Sequence, residues 1–113
     1  MSRLSVNMQA KKKAEAEEHV RKADKALKTS FTKWTPDHDS AGDDYSKAAT
    51  CYKVAKFHAE ALDCLEKACE CYKQCRSLFH AAKVLETSVL VCRDSEKFDL
   101  IPELASRGAL LYR

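Results

Sequence analysis

The 113-residue sequence predicts an all-α fold, and three observations carry that prediction. It contains only two glycines and two prolines, whereas an all-β domain of this size needs many turn residues. Apolar residues make up 45% of the chain and charged residues 33%, a composition typical of a globular protein rather than a disordered or membrane-spanning one. Along most of the chain, apolar residues recur at spacings of three and four, which is the period of a helix with one buried face.

The first predicted helix spans residues 14–30. Its apolar positions are Ala16, Val20, Ala23 and Leu27. Residues 1–13 show no such stripe and end in three lysines, so we expect a disordered or frayed N-terminus there. The helical-repeat domain is accordingly predicted over residues 14–113.

Four further helices are predicted, each with its own apolar stripe. They span about residues 40–55, 58–72, 78–92 and 100–112. Their stripes are Ala41, Tyr45, Ala48, Tyr52 and Ala55; Ala61, Leu65, Ala68 and Tyr72; Leu78, Ala82, Leu85, Val89 and Cys92; and Ile101, Leu104, Ala105, Gly108 and Tyr112. Pro36 disfavours helix at Thr35, and Asp39 is expected to cap the second helix.

An internal repeat links the third and fifth predicted helices. Lys56-Phe57 and Lys97-Phe98 precede them at an offset of 41, and Tyr72 and Tyr112 close them at an offset of 40. Helix pairs at such a period predict a tetratricopeptide-like right-handed solenoid of about five antiparallel helices. Because the chain stops inside an apolar stripe, we expect a fragment, a truncated product or an end that pairs with a partner.

Chemical motifs are scarce, so no catalytic residue, metal site or cofactor is predicted. The six cysteines include Cys71 and Cys75 at i, i+4, but no C-x-x-C pair occurs. Buried thiols on helices are therefore the preferred interpretation over a metal-binding domain. His58 and His80 have no carboxylate pattern beside them, and the sequence lacks a Gly-rich phosphate loop and an H-E-x-x-H motif. We expect that the protein is not an enzyme.

Charge and hydropathy limit the kinds of partner and the cellular location that the sequence predicts. The net charge is +3, but beyond residue 13 basic and acidic residues alternate, which argues against nucleic-acid binding. No apolar run reaches the length of a signal-peptide core or the roughly 20 residues of a membrane span. A cytoplasmic protein with reduced thiols is the expectation.

The segment Phe31-Thr32-Lys33-Trp34 lies in the predicted loop between the first two helices. Two interpretations of it stay open on the residues alone. The aromatic pair, with Lys33 beside it, would insert into the headgroup region of an anionic membrane. Alternatively, the pair folds back and staples the first helix to the second.

Three strings of the sequence resemble the gamma-type soluble NSF attachment proteins. They are Leu-Lys-Thr-Ser-Phe-Thr-Lys-Trp-Thr-Pro-Asp-His-Asp-Ser-Ala over residues 27–41, Tyr-Ser-Lys-Ala-Ala over 45–49 and Ser-Leu-Phe-His-Ala-Ala over 77–82. The resemblance extends over about residues 14–113, the N-terminal portion of that family. It implies a twisted sheet of antiparallel helices whose concave side binds a SNARE bundle. It also implies a C-terminal end that recruits the NSF ATPase, which pulls the bundle apart after membrane fusion.

The resemblance assigns roles to few residues. Phe31 and Trp34, with Lys33, match the membrane-attaching loop of the family, which implies weak peripheral binding to an anionic membrane surface. Arg93 falls where alpha-type relatives carry a lysine that faces the acidic SNARE bundle, although a surface residue without a role remains an alternative. The NSF-engaging helices have no counterpart, so this chain alone is expected not to stimulate SNARE disassembly.

The function predicted from the resemblance is that of an adaptor in vesicle transport, cytoplasmic and peripheral to membranes. A generic tetratricopeptide-like interaction scaffold unrelated to SNAREs is the alternative.

Overall fold

The computed structural model describes residues 3–28 and 37–111, and every regular element within them is helical. The five α-helices are α1 (Arg3–Leu27), α2 (His38–Val54), α3 (His58–Gln74), α4 (Leu78–Asp94) and α5 (Ile101–Leu111). A short 3₁₀-helix, Phe98–Leu100, leads into α5. The predicted all-α class and the number of helices are confirmed.

The helices form a thin antiparallel layer. Each packs chiefly on its neighbours along the chain, and the Cα atoms extend over 48 × 36 × 16 Å. Three-residue turns join α2 to α3 and α3 to α4, so each helix reverses the direction of the one before it. All the turns therefore fall at two opposite ends of the layer.

The turns after α2, α3 and α4 share one geometry. Lys56, Arg76 and Glu96 lie in the left-handed region, with φ of 66°, 60° and 62°. The next residue in each turn donates its N–H to a carbonyl five residues back, as Ser77 does to Tyr72 at 2.7 Å. This is the hydrogen-bond pattern of a Schellman helix end.

The equivalent turn positions are 20 residues apart, which explains a period of 40 for a helix pair. The offset of 41 between Lys56-Phe57 and Lys97-Phe98 is wrong by one residue. Phe57 corresponds to Lys97, because the two residues donate the equivalent hydrogen bond of their turns. The Phe57 N–H donates to the Tyr52 carbonyl at 2.9 Å, and the Lys97 N–H donates to the Cys92 carbonyl at 2.8 Å.

Alanine fills the places where helices approach closely. Ala16, Ala23, Ala48, Ala61 and Ala68 are completely buried, and the small side chain lets the helix backbones pack tightly. The stripe predicted for α2 is buried throughout. Among the described stripe residues, Leu78 is 44% exposed and Ala105 is exposed, and Val89 and Ile101 are only partly buried.

Helix α1 begins at Arg3, eleven residues before the predicted start at position 14. The helix therefore extends into the segment before residue 14, for which a disordered or frayed N-terminus is predicted. Gln9 Nε2 donates to the Ala55 carbonyl at 2.8 Å, and Lys13 Nζ lies 5.2 Å from the centroid of the Phe57 ring. These polar contacts hold the first half of α1 on the turn after α2, and an apolar stripe does not reveal them.

Candidate functional site

The end of the layer where α1 meets α2 flanks the predicted membrane segment. Phe31, Lys33 and Trp34 themselves lie outside the described residues. The Asp37 N–H donates to the Ala26 carbonyl at 2.9 Å, three residues before position 29. The described chain therefore stops after Lys28 and resumes at Asp37 at the same end of the layer.

The start of α2 is capped by Asp37, not by the predicted Asp39. The Asp37 carboxylate accepts a hydrogen bond from the Ser40 N–H at 3.1 Å. Asp39 lies within the first turn of the helix, where its negative charge still complements the helix dipole.

Two tyrosine–aspartate pairs join the first three helices. Tyr45 donates its hydroxyl to Asp24 of α1 at 2.5 Å, and Tyr72 donates to Asp43 of α2 at 2.6 Å. Burial and the hydrogen bond to Asp43 raise the pKa of Tyr72 to about 12, and burial and the bond to Asp24 raise the pKa of Tyr45 as well. Both phenols are therefore protonated donors at neutral pH.

Tyr72 also connects α2 to the beginning of α4. Its ring contacts the backbone at Gly42 on one helix and stacks on His80 on the other, with ring centroids 5.2 Å apart. Ser77 Oγ lies 2.7 Å from His80 Nδ1. The turn between α3 and α4 therefore lies at the same end of the layer as Asp37.

This turn carries an exposed apolar pair that the sequence analysis missed. Phe79 is 61% exposed and Leu78 is 44% exposed. Lys83 Nζ lies 5.6 Å from the centroid of the Phe79 ring, and Arg76 is exposed at the centre of the turn. Helical periodicity places Leu78 on the predicted core stripe, and this prediction is wrong for Leu78. The basic run around the pair was the signal available for finding it.

Arg93 lies at the opposite end of the layer. It occupies the last turn of α4, is exposed, and forms no ion pair with any described residue. At a rise of about 1.5 Å per residue, α4 separates it from the turn before Leu78 by roughly 20 Å. The structure therefore does not bring Arg93 together with the residues that flank the membrane segment.

The two faces of the layer carry shallow grooves. A groove of about 200 Å³ on one face crosses α2, α3 and α4, between Thr50 and Lys83. On the other face, a cleft of about 280 Å³ lies between Val20 and Glu60, and one of about 190 Å³ includes Arg107. Arg107 donates to both carboxylate oxygens of Glu66, at 2.9 and 3.2 Å, which ties α5 to α3.

The cysteines are free thiols, and burial works against ionising them. Burial raises the pKa of Cys64 to about 11 and also raises the pKa of Cys69, Cys71 and Cys92. A nucleophile requires the opposite shift. In the described ranges, no three His, Cys, Asp or Glu side chains cluster closely enough to hold a metal ion. No helix within those ranges has the length and hydropathy to cross a membrane.

A thin layer of antiparallel helices, with exposed ends and shallow grooves, defines a helical-repeat protein. The chain belongs to the soluble NSF attachment protein family, whose model matches residues 14–105. It is 28% identical over 110 residues to the gamma-soluble NSF attachment protein of Dictyostelium discoideum. That alignment covers 97% of this chain and 34% of the relative, so the chain spans about a third of the relative's length. The resemblance to the gamma-type proteins is confirmed.

Proposed function

We propose that the protein acts in intracellular vesicle transport as an adaptor that binds a SNARE bundle and the membrane surface. The observation that supports the membrane part is the placement of the described residues on either side of residues 29–36. Lys28 and Asp37 flank this segment, and the bond from Asp37 to Ala26 holds its two ends at one end of a packed helical layer. The described chain on either side of the segment therefore lies at an end of the layer rather than on a groove-bearing face.

Phe31 and Trp34 are the proposed membrane anchors, with Lys33 facing anionic lipid. A fully buried large apolar side chain contributes about 1.5 to 3 kcal/mol, so the pair supports weak, reversible attachment. A basic residue near an anionic surface adds about 1 kcal/mol. Such an anchor increases the occupancy of a protein that a second contact already holds near the bilayer.

Arg93 is the proposed contact to the SNARE bundle. It is exposed, without an ion-pair partner among the described residues, and its guanidinium suits carboxylates on an acidic helical bundle. Its separation from the proposed anchor places this contact roughly 20 Å from the membrane end of the layer. Recruitment of the NSF ATPase is assigned to the two thirds of the relative's length that this chain does not cover.

Co-flotation with liposomes tests the membrane contact. The protein and its Phe31→Ser/Trp34→Ser variant are each floated with vesicles of phosphatidylcholine and phosphatidylserine. We expect the variant to bind at least about tenfold more weakly, since two apolar side chains leave the bilayer. Val54→Ser is the control, because Val54 is 58% exposed at the other end of the layer. Equal flotation of the wild type and the double variant would contradict a membrane role for this segment.

Pull-down with an assembled SNARE bundle tests the second contact and separates the adaptor from the alternative scaffold. Retention on the bundle, with little retention on an unrelated acidic coiled coil, supports the adaptor. Equal retention on both favours a generic helical-repeat scaffold.

A further inference from the structure

The turn between α3 and α4 differs in charge from the two turns that share its backbone geometry. Residues 73–83 contain three Lys or Arg and no Asp or Glu. The equivalent residues 53–63 contain two basic and two acidic residues, and residues 93–103 contain two basic and four acidic residues. Only this one of the three turns therefore has no acidic residue within its eleven positions, although Lys73 pairs with Glu70 just before it, at 3.8 Å.

The same turn also carries an exposed aromatic ring at a position where the other two turns have none. Phe79 is 61% exposed, whereas the residues 20 positions before and after it are Ala59 and Asp99. The buried positions of α4 nearest to it are Ala81 and Ala82, so the Phe79 side chain lies outside the core. Lys83 lies over its ring at 5.6 Å. An exposed aromatic ring with ammonium and guanidinium groups around it is the composition of a membrane-interface contact.

We propose that this turn, through Phe79 and Leu78 with Arg76 and Lys83, is a second contact to the surface of an anionic lipid bilayer. The apolar pair would enter the headgroup region while the basic groups face lipid phosphates and carboxylates. The basic charge selects an anionic membrane, because Lys and Arg side chains are attracted to the negative potential of such a surface and a neutral surface lacks that attraction.

The location of the turn supports a contact with the same bilayer as the segment after α1. Tyr72 bridges the two places, through its 2.6 Å bond to Asp43 near the start of α2 and its stacking on His80 in α4. Two separated contacts on one packed helical layer fix its orientation on a membrane, whereas a single contact does not. The inference rests on the proposed function, because it assumes that the protein acts at a membrane surface.

Flotation with phosphatidylcholine vesicles, with and without phosphatidylserine, tests the turn directly. We expect Phe79→Ser to reduce binding to the anionic vesicles about tenfold. Arg76→Glu is expected to reduce it by a similar factor and to make the remainder less sensitive to salt. The matched controls lie at the other end of the layer: Val54→Ser replaces an equally exposed apolar residue, and Lys56→Glu reverses the charge at the equivalent turn position.

Helix content by circular dichroism and the thermal midpoint show whether each variant is folded. If Phe79→Ser is not folded, the Arg76→Glu variant tests the second contact alone. Arg76 lies on an exposed turn in the left-handed region, and glutamate, like arginine, has a Cβ, so this substitution should not change the backbone strain there. Loss of flotation in the two turn variants, with the controls unchanged, supports the second contact. Flotation equal to that of the wild type overturns it, as does an equal loss in the controls at the other end.

The Phe31→Ser/Trp34→Ser variant separates this inference from the proposed function. If that variant loses flotation while the turn variants keep it, the second contact is wrong and the membrane role of residues 29–36 stands. If the turn variants lose flotation while that variant keeps it, the turn is the membrane contact and the assignment of Phe31 and Trp34 fails.

Discussion

The Tyr72 ring lies so close to Gly42 that a Cβ built on this glycine would be 2.9 Å from the ring Cε1 atom. Two contacts hold the ring in place. Its hydroxyl donates to Asp43, and its face stacks on His80. Gly42 lies inside α2, where glycine is about 0.5 to 1 kcal/mol less favourable than alanine. Close packing against the tyrosine gives the physical reason for glycine at this position.

We expect Gly42→Ala to destabilise the fold despite the better helix propensity of alanine. Overpacking of a well-packed core typically destabilises by about 1 to 3 kcal/mol, which exceeds the gain in propensity. Urea unfolding followed by circular dichroism measures the change. Gly108→Ala is the control, since its Cβ would meet Leu85 Cβ at an ordinary 3.8 Å. A Gly42→Ala protein as stable as Gly108→Ala would contradict the packing argument.

Removing the Tyr72 hydroxyl should also weaken the fold. Tyr72→Phe loses the 2.6 Å bond to Asp43, and a hydrogen bond of this kind contributes about 1 kcal/mol net where its acceptor is exposed. The ring contact with Gly42 is retained, so the effect isolates the hydroxyl. The same variant combined with Asp43→Ala completes a double-mutant cycle. A coupling energy near zero in that cycle would show that the bond does not stabilise the protein.

Stability should fall in alkaline solution. Burial and Asp43 raise the Tyr72 pKa from 10.0 to about 12, so the folded protein keeps a proton that the unfolded chain releases. The contribution of Tyr72 to the free energy of unfolding is complete below pH 10. It is lost as the pH rises toward 12, because the unfolded state then binds fewer protons than the folded state. Unfolding curves across this window measure the slope. Tyr72→Phe should show a shallower decline, and an identical decline in both proteins would rule out this tyrosine as a source.

Backbone strain at the three turns predicts a stabilising substitution. A residue with a Cβ in the left-handed region is disfavoured by about 1 to 2 kcal/mol, whereas glycine adopts this conformation readily. Lys56→Gly is therefore expected to stabilise by up to about 1 kcal/mol after the greater freedom of glycine in the unfolded chain is subtracted. Lys53→Gly, three residues earlier within α2, should instead destabilise by about 1 kcal/mol. Thermal unfolding of the two variants decides the sign.

The sequence predicts much of this fold because helical periodicity is a local signal. The predicted spans of α2, α3 and α4 agree with the structure to within two residues at each end. The start of α1 was missed because Gln9 and Lys13 hold it through polar contacts with residues distant in sequence. The alignment of Phe57 with Lys97 depends on turn geometry. It cannot be read from residue types, because a phenylalanine and a lysine occupy the same position of the two turns.

The candidate site could be predicted less well. Phe31, Lys33 and Trp34 came from their residue types and from the resemblance, and their roles stay a proposal. Phe79 was overlooked because exposure depends on how α4 is rotated on α3. Periodicity places Leu78 on the buried stripe, although the helix end leaves it 44% exposed.

The two ends of the layer should be separable by mutation. Arg93→Glu is expected to weaken binding to a SNARE bundle about fivefold to tenfold, because it replaces an attraction with a repulsion at an acidic surface. Flotation with anionic vesicles should be unchanged, since roughly 20 Å of α4 separates Arg93 from the turn before Leu78. Lys22→Glu, an exposed residue of α1, makes the same change in net charge and serves as the control. SNARE binding lowered equally by both variants would indicate a general charge effect, and unchanged binding in Arg93→Glu would remove Arg93 from the interface.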